Sequence, residues 1–177
     1  MNKKYLYIAI LIIVAGVFAV PSFRQLLFTS AEVKSVESIS DANYDIELKG
    51  INVPNANLKD FKGKKLLFLN FWGTWCPPCK QEWPSIQRLY ESKQGKMEFV
   101  LIAMQDEEEK VRGFLERNQF TAPVYIAQSP IEESLLPKVF PTTFILDKDG
   151  NVLMKEEGLK DWQAKSVLDF IEEQLKK

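Results

Sequence analysis

The sequence predicts an α/β fold: a central mixed β-sheet flanked by helices on both faces, preceded by one N-terminal transmembrane helix. Three observations carry this. Strand-like apolar runs alternate with segments of helical period from Tyr44 onward. A turn signal, Asp147-Lys148-Asp149-Gly150, joins two late strands, so the sheet gains antiparallel members. Ahead of all this, an uncharged apolar run follows Lys3 and Lys4.

The N-terminal run extends from Tyr5 to Phe23, where Arg24 stops it. As a helix it spans about 28 Å, close to the ~30 Å hydrocarbon core of a bilayer. The lysines before it favour that end staying in the cytoplasm, which exports the rest of the chain. A cleaved signal peptide is the alternative, with Val17-Phe18-Ala19 as its cleavage site. No cysteine directly follows the run, so a lipoprotein anchor is excluded. The expected organisation is an anchor or signal segment over 1–28, a Ser- and charge-bearing linker over 29–43, and a globular domain over 44–177.

Within the domain, alternation over Tyr44–Leu48 predicts a strand that ends at Lys49-Gly50. Leu58–Lys64 predicts a short helix or turn stopped by Gly63. Leu66–Trp72 is nearly all apolar, as a strand covered on both faces must be. A helix follows over Pro77–Ser92, with Trp83, Ile86, Leu89 and Tyr90 on its apolar stripe. Met97–Met104 predicts a second buried strand. Asp106–Asn118 predicts a helix turning Val111, Phe114 and Leu115 inward. Val124–Ala127 predicts a strand, Ile131–Lys138 a short helix, and Thr142–Leu146 and Val152–Glu156 the two arms of the hairpin. Asp161 is placed to cap a last helix that buries Trp162, Val167, Leu168, Ile171 and Leu175.

Composition narrows the chemistry. The chain has no histidine, which excludes Ser-His-Asp and Cys-His catalysis and imidazole metal ligation. Two cysteines fall short of a zinc site. A formal net charge of −1 gives no reason to expect a nucleic-acid partner.

Both cysteines lie in Trp75-Cys76-Pro77-Pro78-Cys79-Lys80, between a buried strand and a helix. This spacing lets the pair be dithiol or disulfide. Cys76, just before the first helical turn, meets unpaired N–H groups and partial positive charge that stabilise a thiolate. It is the expected nucleophile, and Cys79, one turn inside, the resolving thiol. A purely structural disulfide is a poor alternative, because so small a loop gains little from cross-linking. Pro77 and Pro78 carry no N–H, which removes two donors from the neighbourhood of Cys76 and predicts a reducing couple. Trp75 is expected as exposed aromatic surface beside Cys76, suited to holding an unfolded peptide; Trp72 reads equally well as core. Glu107-Glu108-Glu109 reads as a solvated face matched to a helix dipole.

The stretch Leu69–Lys80, with Phe61-Lys62-Gly63-Lys64 upstream and Phe140-Pro141-Thr142-Thr143-Phe144 downstream, resembles the TlpA/ResA-like membrane-anchored thiol:disulfide oxidoreductases, which have the thioredoxin-like fold. The likeness covers roughly Tyr44–Lys177. It implies a protein-disulfide reductase on the extracytoplasmic, periplasmic side of the inner membrane, single-pass, with no cofactor beyond the Cys76–Cys79 pair. It further implies a disulfide-containing protein substrate such as apocytochrome c and a membrane thiol electron donor. By the same likeness Pro141 is a cis-proline facing the pair, with Phe140 beside it in substrate binding; residues alone leave an ordinary trans proline open. Asn70 departs from the aspartate common in thioredoxins and cannot titrate. Glu82, three residues after Cys79 on one helix face, matches a glutamate frequent in this branch and is the candidate proton acceptor for Cys79; a solvated surface glutamate is the alternative. Other functions compatible with the motif are an oxidase or isomerase of exported proteins and a non-catalytic binding module.

Overall fold

The computed structural model describes Ile39 and residues 44–177, all within a compact unit spanning Val36–Lys177. The expected anchor over 1–28 and most of the linker over 29–43 lie outside the described residues. Among those described, no helix is long and apolar enough to cross a membrane.

Seven strands form one mixed sheet: β1 (Glu47–Gly50), β2 (Ala56–Asn57), β3 (Leu67–Trp72), β4 (Glu98–Ala103), β5 (Val124–Ala127), β6 (Thr142–Leu146) and β7 (Val152–Glu157), in the order β2-β1-β5-β4-β3-β6-β7. β3, β4 and β5 are parallel; β1, β2, β6 and β7 add antiparallel pairs. The helices are α1 (Pro77–Lys93), α2 (Glu108–Asn118) and α3 (Lys165–Gln174). Every residue of β3 is buried, which is why its sequence is apolar without alternation.

Among the described residues, the three α-helices share one face of the sheet, and only a short 3-10 helix lies on the other. One core cluster joins Phe68 and Trp72 of β3 to residues of α1, α2 and α3 alike. The other face carries Leu67, Leu69 and Phe71 of β3 and is covered by Leu58 of a 3-10 helix (Leu58–Phe61), Leu135 of a turn, and Ile39 and Tyr44. Connectivity is the cause. The chain steps from β3 to β4 to β5 in one direction across the sheet, so right-handed crossovers place α1 and α2 on the same side.

Local differences have local reasons. Ile131–Lys138 is no helix but a single turn, in which Leu135 and Leu136 donate to the Glu132 carbonyl at 3.0 and 2.9 Å. Pro130 and Pro137 bracket it and bar continuation. Asp161 does not cap α3; its carboxylate accepts from the Gln163 amide at 2.9 Å and closes a turn, and α3 begins at Lys165 with Ala164 as its uncapped start. Leu168 and Leu175 are only partly buried there. The first strand starts at Glu47 rather than Tyr44, because Ile46 donates back to the Tyr44 carbonyl. Leu58–Phe61 is opened by a capping box, with Asn57 accepting from Lys59 and Asp60 accepting from the Asn57 amide. At the β6–β7 hairpin, Asp147 accepts from the amides of Asp149 and Asn151, and Gly150 takes φ +87°, which a residue with a Cβ rarely adopts.

Candidate active site

The carboxyl ends of β3 and β4 set the site, at the edge where open α/β sheets gather function. β3 ends at Trp72, Gly73-Thr74-Trp75 forms a short loop, and Cys76 is the N-cap of α1. Pro77 and Pro78 occupy the first two helical positions, where an N–H has no intrahelical partner to lose. The first amide able to turn toward Cys76 is therefore that of Cys79, which donates to Cys76 Sγ at 3.2 Å. The two cysteines are joined as a disulfide, with Cα atoms 5.3 Å apart. Both are buried, 2% and 1% exposed.

The loop is held from the strand next door. Trp75 Nε1 donates to the Met104 carbonyl at 2.9 Å, and Met104 N–H donates to the Trp72 carbonyl at 2.8 Å. Thr74 donates both its amide and its hydroxyl, the latter at 2.8 Å, to the Asp106 carboxylate. Asp106 thus braces the active loop and stands before α2, which begins at Glu108. Its signal in the sequence was its position: an acid just past a buried parallel strand lies at the edge where neighbouring loops meet.

Trp75 is 47% exposed and its ring meets Phe140 edge-on at 5.1 Å. The Phe140–Pro141 peptide bond is cis. Leu136 and Val139 add exposed apolar surface on the same approach to β6. Trp72 belongs to the core, packed edge-on to Trp83 at 4.7 Å. A Cβ on Gly73 would lie 2.4 Å from Trp75 Nε1. Gly73→Ala is therefore expected to push the indole off the Met104 carbonyl. The lost hydrogen bond costs about 1 kcal/mol of stability, and the Trp75 emission should move to the red as the ring enters water. An unchanged emission spectrum would refute this.

Glu82 is no surface group: it is 1% exposed. Trp162 donates its indole N–H to Oε1, and the Lys160 backbone donates as well. Oε2 has no partner among the described residues. Burial pushes the Glu82 carboxyl up to about 8 against the two donors that lower it, and nearby Glu156 adds a smaller push. Asn70 is fully buried on the sheet face that carries Phe68 and Trp72; its Nδ2 donates to Thr143 Oγ1 at 2.8 Å, and its Oδ1 has no partner among the described residues. The structure thus gathers Cys76, Cys79 and Glu82 on α1, and Trp75, Phe140 and Pro141 at its rim. Trp162, read from the sequence as core alone, is both core and the carboxylate's partner.

Residues 41–169 match the Redoxin family. The thiol-disulfide oxidoreductase ResA of Bacillus thuringiensis subsp. konkukian is 33% identical over 178 residues, which is 99% of this chain and 96% of that protein. Thioredoxin-like protein YneN of Bacillus subtilis is 37% identical over 109 residues, 60% of this chain and 64% of YneN. Among solved structures, a secreted thiol-disulfide isomerase from Corynebacterium glutamicum superposes with a TM-score of 0.62 at 25% identity, covering 85% of this chain and 97% of that one.

Proposed function

The chain belongs to the Redoxin family and is a ResA-like thiol-disulfide oxidoreductase, and from that membership we propose that it reduces disulfides of exported proteins from a membrane tether. The observation that carries the reading is the Cys76–Cys79 pair at the start of α1, with one amide aimed at Cys76 Sγ. In the reduced enzyme that amide is a donor for a Cys76 thiolate. The thiolate attacks one sulfur of the client's disulfide. The client S–S bond breaks, a mixed disulfide forms on Cys76, and one client sulfur leaves as a thiol. Cys79 then gives up its proton, attacks Cys76 Sγ, and releases the second client thiol. Two electrons have passed to the client, and the enzyme is left with the Cys76–Cys79 bond.

Glu82 is the proposed acceptor for the Cys79 proton: it lies one turn further along α1, and a carboxyl held near 8 exchanges protons at working pH. Trp75 and Phe140, with Pro141, form the proposed seat for an extended client segment. The tether is proposed to be residues 1–28, with 29–43 as linker and 44–177 as the catalytic domain on the extracytoplasmic side; support comes from the Tyr5–Phe23 run and its preceding lysines. Apocytochrome c is the proposed client, a membrane dithiol protein the electron donor, and no cofactor beyond the cysteine pair is required.

The reducing direction is supported by Pro77 and Pro78, which leave one amide donating to Cys76 Sγ and so favour the thiolate less than a strongly oxidising site does. The test is capture. Cys79→Ser cannot resolve its intermediate, so it should accumulate a mixed disulfide through Cys76 whose partner mass spectrometry identifies. A reduction potential near about −120 mV for the wild-type pair would instead establish an oxidase.

A further inference from the structure

The geometry points to Trp162 as a positioning residue for the exchange reaction: its indole N–H occupies Glu82 Oε1, leaving Oε2 as the oxygen that takes the Cys79 proton. This rests on Glu82 being the acceptor, as proposed above.

Trp162 lies 80 residues from Glu82 in sequence, in the turn between β7 and α3. That turn is fastened to Ser85 of α1 by two further bonds, and a third, within α1, ties Ser85 back to Glu82. Trp162 N–H donates to Ser85 Oγ at 3.2 Å, the Ser85 hydroxyl donates to the Glu82 carbonyl at 2.8 Å, and Gln163 Nε2 donates to the Ser85 carbonyl at 3.2 Å. The indole ring is fully buried and set edge-on against Phe68 at 4.8 Å. An indole is a donor only. It can hold Oε1 but cannot accept a proton, and it stays in place whether Glu82 is charged or neutral. Among the described residues the oxygen without a partner is Oε2.

The other groups facing Glu82 are few. Cys79 lies on its own helix. Glu156 of β7 faces it with the same sign of charge, and the Lys160 ammonium is paired with Glu156 while the Lys160 backbone donates to Glu82. In the resolving step the Cys79 S–H proton passes to Oε2. The Cys79 electron pair forms the bond to Cys76 Sγ, and the bond from Cys76 to the client breaks with its pair on the client sulfur, which is protonated from water.

The test uses the full-length chain carrying 5-thio-2-nitrobenzoate on Cys76 as a preformed mixed disulfide, with release of the coloured thiol followed against pH. Trp162→Phe removes the donor. Trp162→β-(3-benzothienyl)alanine removes only the N–H and keeps the bicyclic shape, so it carries the test if the phenylalanine variant does not fold. A hydrogen bond to a carboxylate favours its charged form, so both variants should move the midpoint of release upward by about one pH unit. Combined with Glu82→Gln, neither should move it further. A wild-type profile in the benzothienyl variant, or a shift that persists without Glu82, overturns the assignment of Trp162. A wild-type profile in Glu82→Gln alone overturns instead the reading of Glu82 on which it rests.

Discussion

Cys76→Ser is expected to reduce disulfide exchange to the uncatalysed level, a loss of at least about three orders of magnitude. A serine hydroxyl at this N-cap position can accept the Cys79 amide as the sulfur does, so the start of α1 persists. What it cannot do is ionise at neutral pH or form a bond to sulfur. The comparison with Cys79→Ser separates chemistry from folding. Each variant loses the same small-loop cross-link, worth about 2 kcal/mol on the chain-entropy account, so the two should unfold at similar denaturant concentrations. Only the Cys79 variant should capture a client covalently. Residual turnover in Cys76→Ser, measured by single-turnover reduction of a protein disulfide, would move the active nucleophile away from this residue and end the proposed mechanism.

Glu82→Gln is expected to change both the pH profile of the resolving step and the stability of the protein. Burial raises the folded-state value from 4.5 to about 8. Below about 4.5 the carboxyl is protonated whether the chain is folded or not, and it costs nothing. Between about 4.5 and 8 the unfolded chain releases the proton while the folded protein keeps it, so the unfolded state binds fewer protons and stability falls as pH rises. At pH 7 the accumulated loss is about 3 kcal/mol. Glutamine retains an oxygen for the Trp162 indole and does not titrate. The variant should therefore match the wild type near pH 4, exceed it by up to that amount at pH 7, and resolve mixed disulfides more slowly with little pH dependence. Parallel stability curves for the two proteins from pH 4 to 8, measured by urea unfolding, would show that Glu82 ionises normally.

The same residue separates what was readable in the chain from what was not. Its place on the Cys79 face of α1 follows from helical spacing, but its burial does not. Burial comes from Trp162 and from the turn ahead of α3, which no local pattern ties to α1. Asp106 is a similar case: its sequence suits a helix start, yet its carboxylate serves Thr74, 32 residues earlier. The one-sided placement of α1, α2 and α3 is another, since strand and helix periods are the same whichever face a helix covers.

The amino-acid sequence by itself determined the redox pair, its position between a buried strand and a helix start, and the two prolines that strip donors from the first turn. These are properties of neighbouring residues, governed by backbone chemistry over one turn of helix. Only the tertiary structure decided which face the helices share, which loops brace Trp75 and Thr74, and which oxygen of Glu82 is left open. Those depend on strand order and crossover hand, which bring side chains dozens of residues apart into hydrogen-bonding distance.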